Sequence, residues 1–161
     1  MSVLITAASH SEAYKLERLL QLPDVIFADF QELPHLTYTG RKFVKIPKGD
    51  SASFAHEMLN LALNSGIEKI FPLYADEILP LAESRQLFAE YGISIFVPSV
   101  LWLKKQEEIP PMDNPSLVVF ENGKVIAGGL PADVILPEED LTGIFYIEPT
   151  NRDPVFKLFT A

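Results

Sequence analysis

Val3-Leu4-Ile5-Thr6-Ala7-Ala8-Ser9-His10-Ser11-Glu12 is the stretch on which the fold turns. Its first four residues are apolar or β-branched with no polar alternation, the pattern of a strand buried on both faces of a parallel sheet. Small residues then make a tight turn. Ser11-Glu12 opens a helix with Tyr14, Leu16, Leu19 and Leu20 on its apolar face, and Pro23 ends it. Strand, small-residue turn and helix make the first unit of an alternating α/β chain.

The pattern repeats outward from that unit. Asp24 to Asp29 reads as a second strand and Phe43 to Pro47 as a third, after a loop holding Pro34 and Gly40. Asp50 or Ser51 caps a helix whose apolar residues Phe54, Met58, Leu59, Ala62 and Leu63 share one face, closed by Asn64-Ser65-Gly66. Ile67 to Pro72 is a fourth strand, Leu79 to Tyr91 a helix with Leu87 and Phe88 ending at Gly92, and Ile93 to Pro98 a fifth strand. This alternation predicts a five-stranded, mainly parallel Rossmann-like sheet with helices on both faces.

Near Leu101 the pattern changes. Ile109-Pro110-Pro111-Met112-Asp113-Asn114-Pro115 cannot sustain a helix and reads as a linker. Leu117 to Phe120 and Lys124 to Ala127 flank Glu121-Asn122-Gly123, a hairpin signal. Gly143 to Ile147 is a further strand and Val155 to Phe159 a last one. The expected organisation is therefore an α/β domain over 1–100, then a linker and β-rich extension over 101–161. The extension is expected to pair with the edge of the parallel sheet or with a second copy.

The chain has 161 residues, 48% hydrophobic and 22% charged, enough to bury one core. It has no cysteine, so disulfides, zinc–thiolate sites and cysteine nucleophiles are excluded. No apolar run approaches the ~20 residues of a membrane span, and no basic leader precedes the first strand, so a cytoplasmic location is expected. The net charge of −9 argues against nucleic acid. Glu107 to Glu148 holds nine acids and one lysine; it reads as a solvated surface, or as a docking face for a basic partner.

Ligands in open parallel sheets sit outside the carboxyl ends of the strands, where strand order reverses. Two stretches qualify. The backbone of Ala7-Ala8-Ser9-His10 and the helix start after it are suited to an anion, but no Gly-x-Gly-x-x-Gly or Gly-Lys-Ser/Thr follows, so no nucleotide cofactor is implied. The plainer role is a tight turn, with Ser9 or Ser11 as helix cap. Tyr74-Ala75-Asp76-Glu77 brings two carboxylates and a phenol to a strand end, suited to an amine, a metal or proton transfer. The plainer role has Asp76 capping the next helix and Glu77 at its positive end. His10, His35 and His56 show no metal spacing, and no Gly-x-Ser-x-Gly elbow exists. Arg41, Lys42, Lys45 and Lys48 form a basic stripe that reads as protection of a sheet edge, or as a phosphate contact.

Over about 60% of its length the chain resembles the N-terminal lobe of ATP-grasp ligases, a group that includes biotin carboxylase and the large chain of carbamoyl-phosphate synthase. The matching stretches are Val3 to Ala8; Phe27-Ala28-Asp29; Phe43 to Pro47; Ile70-Phe71-Pro72 with Glu77 downstream; and Phe88 to Ile93 before Val97-Pro98-Ser99. The resemblance implies a Rossmann-like half-domain whose strand ends, Ala7 to His10 and Tyr74 to Glu77, face a ligand cleft. In that family an Asp-Lys helix and an ATP-clamping lobe with magnesium ligands follow Val-Pro-Ser. Here Val100-Leu101-Trp102-Leu103-Lys104-Lys105 stands there instead. Phosphoryl transfer depends on those missing parts.

The expected function is a non-catalytic small-ligand-binding or regulatory module, partnered by a separately encoded ATP-grasp enzyme. Its candidate ligand-binding residues are Ala8, Ser9, His10, Tyr74, Asp76 and Glu77, with no catalytic residue, metal ligand or cofactor assigned. The alternatives are a stand-alone enzyme using Asp76 and Glu77 with His10 on a small polar metabolite, and a purely structural dimeric subunit. A homodimer through the C-terminal strands is expected, because their apolar faces lack covering helices.

Overall fold

The computed structural model describes residues 2–33, 41–130, 134–148 and 154–161. The loop residues Pro34 and Gly40 and the histidine His35 lie outside them. Among the described residues, β1 (Ser2–Ile5), β2 (Val25–Asp29), β3 (Lys42–Lys45), β4 (Ile67–Phe71) and β5 (Ser94–Ile95) form one all-parallel sheet in the order β3-β2-β1-β4-β5. The crossovers carry α1 (Ser11–Leu20), α2 (Phe54–Ser65) and α3 (Ala75–Glu90). The chain winds outward from β1 to β3, then returns to the other side of β1. Leu4 is therefore in register with Ile26 on β2 and Ile70 on β4, and the order reverses between β1 and β4.

The expected α/β architecture holds, and the unalternated apolar strands have the cause assigned to them. Leu4, Ile26, Ala28, Ile70 and Ile95 pack under α2 and α3 against Phe54, Met58, Leu59, Leu81 and Phe88. Val3, Ile5, Phe27, Phe71 and Phe96 point to the opposite face. The basic stripe lies along β3, an edge strand, where Lys42 pairs with Asp24 at 3.7 Å and Lys45 pairs with Glu32.

Three local expectations are corrected. The helix expected from Leu79 begins at Ala75, because the Glu77 carboxyl turns back and accepts the Tyr74 N–H at 3.4 Å. Pro80 then sits inside α3, where its ring nitrogen cannot bond the Asp76 carbonyl. The cap expected from Asp50 or Ser51 on α2 is Ser53, whose hydroxyl donates to Glu57 at 2.7 Å. The fifth strand pairs with β4 only at Ser94 and Ile95, although Ile93 to Pro98 is buried apart from Ser94.

A short helix, α4 (Val100–Lys104), follows, capped by the Ser99 hydroxyl, which accepts the Trp102 N–H at 3.0 Å. The C-terminal part is a separate antiparallel sheet, β7-β6-β8-β9, built from β6 (Ser116–Glu121), β7 (Lys124–Gly128), β8 (Gly143–Ile147) and β9 (Lys157–Leu158). Its β6–β7 turn places Asn122 at φ 49° and Gly123 at φ 78°, the two successive left-handed residues that a tight hairpin needs.

This sheet does not extend the edge of the parallel one. Val119, Ile144 and Phe159 stack against Val3, Ile5, Phe71 and Phe96, while Val118, Phe120, Phe145 and Ile147 bury against Trp102, Leu141 and Phe156. The argument that these strands lack cover is therefore overturned for β6 and β8, while β7 keeps Val125 and Ile126 exposed. With α2 and α3 both on one face and α1 alone on the other, the second sheet covers the face that the helices leave open.

Candidate functional site

The switch point between β1 and β4 brings the two candidate stretches together. β1 ends at Ile5, and Thr6 stays buried behind it. The Thr6 hydroxyl accepts the Leu73 N–H at 2.7 Å and donates to Glu77 Oε2 at 2.6 Å. One side chain thereby ties the end of β1 to the β4–α3 turn. Ala7 takes a left-handed φ of 59°, strained for a residue with a Cβ, and its carbonyl accepts the His10 N–H. That turn aims Ser9 across to β2.

Asp29, at the end of β2, is the hub. Its carboxylate accepts Ser9 N–H at 2.9 Å, the Ser9 hydroxyl at 2.7 Å and Gln31 N–H at 3.0 Å, and both its oxygens lie within 3.0 Å of the Tyr74 hydroxyl. Burial alone would raise its pKa. The hydrogen bonds from Gln31, Ser9 and Tyr74 outweigh that and hold it below the usual carboxylate range. The same burial, with the Asp29 charge beside it, pushes the Tyr74 phenol up to about 12. His10 packs edge-on to the Tyr74 ring at 5.4 Å, and Phe30 lies 5.1 Å from it.

Glu77 is the opposite case. Its side chain is wholly buried, and burial pushes its pKa up to about 8 against the hydrogen bonds from Thr6 and Tyr74 N–H; the charges of Asp76 and Asp29 add to the rise. It is a neutral acid at pH 7, and its Oε1 has no partner among the described residues. Gly49 seals it in: a Cβ on Gly49 would lie 2.6 Å from the Asp76 carbonyl and the Glu77 nitrogen.

Of the six residues expected from sequence, Ser9, His10 and Tyr74 meet in one cluster, with Glu77 beneath them. Ala8 is turned into the fold, its N–H on the Ala28 carbonyl and its carbonyl accepting the Tyr14 hydroxyl. Asp76 sits half-buried in the first turn of α3 rather than at its cap, with no hydrogen bond or ion pair among the described residues. Neither Ser9 nor Ser11 caps α1; His10 holds that position and its side chain caps nothing. His56 is far from the cluster, exposed beside Asn60 on α2.

Sequence reading missed Thr6 and Asp29 as site residues. The signal for both was a polar residue closing an otherwise apolar strand beside the switch point. The anion reading of the first turn is also redrawn: the N–H groups of Ala8, Ser9 and His10 are all bonded within the chain, Ser9 to the Asp29 carboxylate itself. Among the described residues no three acids or histidines converge to hold a metal, and no helix is long and apolar enough to cross a membrane. No protein-family model matches the chain, and no curated protein matches it significantly.

Proposed function

We propose that the protein is a non-catalytic module that binds a small, amine-bearing polar molecule at the carboxyl end of its parallel sheet. It does so as a lobe of the kind that opens ATP-grasp ligases, working beside a separately encoded ATP-grasp chain. The observation that carries this reading is the Asp29 hub, which gathers Ser9 from the β1 end and Tyr74 from the β4 end into one rigid frame. Preorganised frames lower the ordering cost of binding. Around it, the exposed Ser9 hydroxyl and the half-buried His10 and Tyr74 offer polar edges and ring faces to a ligand. Asp76, without a partner among the described residues, is the acid of the group left to meet an ammonium.

The same geometry favours binding over chemistry. A general base must hold a lone pair free within reach of substrate. Asp29 is ionised but surrounded by its four donors, and Glu77 is neutral, fully buried and bonded to Thr6.

Chemical-shift mapping on isotope-labelled protein tests the reading, with a panel of small amines, amino acids, carboxylic acids and Mg-ATP. The expected result is saturable shifts at Ser9, His10, Tyr74 and Asp76 with an amine-bearing compound that is recovered unchanged, and no saturable response to Mg-ATP. Saturable shifts confined to the β6–β7 hairpin, or micromolar Mg-ATP binding (about −8 kcal/mol), would overturn it.

A further inference from the structure

The molecule carries a second feature, unconnected with the switch point. A groove of about 550 Å3 runs between α3, α4 and β9, floored by Ile78, Leu79, Trp102, Leu103 and Leu158. Beyond Leu79, α3 and its cap expose further apolar side chains. Leu79, Leu87 and Tyr91 are 46%, 47% and 56% exposed and recur, with Glu83, at intervals of four residues along α3 and its cap. Such a row forms one ridge of a helix. Leu101 on α4 adds another exposed side chain, at 60%. An apolar groove flanked by exposed apolar side chains is a candidate interaction surface.

The charges around the groove indicate the partner. Glu83, Glu107, Lys104 and Lys157 all line it, all are exposed, and none forms an ion pair among the described residues. Elsewhere the basic residues of the β3 edge are paired: Arg41 with Glu17, Lys42 with Asp24, Lys45 with Glu32. The groove rim therefore holds two unmet charges of each sign. On a chain of net charge −9, this locally neutral apolar face is where two copies meet without like-charge repulsion. A twofold interface is isologous, so each copy must present both halves of every pairing. A patch with equal acids and bases around an apolar floor meets that condition. A basic partner would meet two lysines, and an acidic one two glutamates.

We infer that the α3–α4 face is a self-association surface through which two copies form a C2 dimer, their Glu83 and Glu107 facing the Lys104 and Lys157 of the other copy. Strands β6 and β8, largely buried within their own chain, take no part, while β9 supplies Lys157 and Leu158 to the groove. Ridge and groove extend over α3, about 24 Å long at 1.5 Å per residue, the scale of a small interface.

Charge reversal tests this without disturbing the fold, since all four side chains are exposed. One variant carries Glu83→Lys and Glu107→Lys, the other Lys104→Glu and Lys157→Glu. Sedimentation equilibrium from about 5 to 200 µM should show wild type dimerising in the micromolar range. Each variant alone should stay monomeric, and their equimolar mixture should regain the dimer. Thermal melts of both variants should match wild type at concentrations well below the dimer dissociation constant, where all three are monomers. A wild type that stays monomeric throughout would overturn the inference, which is also how a groove serving a small amphipathic ligand or a different protein would show itself. So would variants that dimerise as wild type does, or a mixture that remains monomeric.

Discussion

At the carboxyl end of the parallel sheet, polar groups are turned onto one another: Ser9, Gln31 and Tyr74 onto Asp29, and Thr6 and Tyr74 N–H onto Glu77. On the α3–α4 face the arrangement is reversed, with apolar side chains exposed and four charges unpaired among the described residues. The two regions share α3, whose first turn belongs to one and whose outer ridge belongs to the other. The difference teaches how one helix serves two purposes. Thr6 and the Tyr74 N–H hold the Glu77 carboxyl through its Oε2 and so fix the first turn, although Oε1 is left unmet among the described residues. An exposed ridge needs no such closure and is left for association.

The comparison breaks most visibly at its hub. Asp29→Ala removes the charged acceptor of Ser9, Gln31 and Tyr74, and a hydrogen bond to a charged group contributes about 1.5–3 kcal/mol. The expected cost is about 3–5 kcal/mol by chemical denaturation, together with loss of the His10 and Tyr74 ring shifts. A loss under ~0.5 kcal/mol, typical of a surface change, would show that the network is incidental. Reversing the groove charges, by contrast, should leave the stability of the monomer unchanged.

Ile144→Ala sharpens the contrast from the far side of the sheet. Ile144 is buried in the cluster that holds Val3, Ile5, Phe71 and Phe96, so its truncation should cost about 2–4 kcal/mol within a single cooperative transition. A two-step melt would mean that the antiparallel sheet unfolds on its own and is an appendage.

Gly49→Ala probes the seal over Glu77. The added methyl meets backbone rather than a flexible side chain, and overpacking of this kind costs about 1–3 kcal/mol. The effect should be greatest on amides of the first turn of α3. An unchanged melt would show that the loop yields freely.

A further effect is one of pH. Glu77 keeps its proton in the folded state up to about pH 8, whereas in the unfolded chain it ionises near its ordinary value. The folded state therefore binds the extra proton between those values, and this group's contribution falls as pH rises through that window, by up to about 1.4 kcal/mol per pH unit. Glu77→Gln, neutral in both states, should gain on wild type from pH 5 to pH 8. A constant difference across that range would mean that Glu77 is ionised in the fold.

Much of the α/β half was readable from sequence because burial on both faces writes itself as unbroken apolar runs, as in Val3 to Ile5. The Asn122-Gly123 turn was readable because only a tight hairpin needs two left-handed residues there. Leu59 and Phe88, on the apolar faces of their helices, are both buried. The start of α3 was missed because Pro80 argues against a helix locally, while the Glu77 carboxyl, which holds the first turn, takes effect only once Thr6 is beside it. Thr6 and Asp29 were missed for a related reason: their partners lie 71 and 45 residues away in the chain. The packing of the second sheet was unreadable because it depends on which face the crossover helices leave bare.

The account rests on a site framed by two carboxyls in opposite states, a charged Asp29 that organises and a neutral Glu77 that closes the fold beneath it. Site-resolved carbon NMR titration of the Asp29 and Glu77 carboxyls between pH 2 and 10 tests that most directly. The predicted result is Asp29 titrating below the usual carboxylate range and Glu77 at about 8. Both groups titrating together near the ordinary carboxylate value would contradict it.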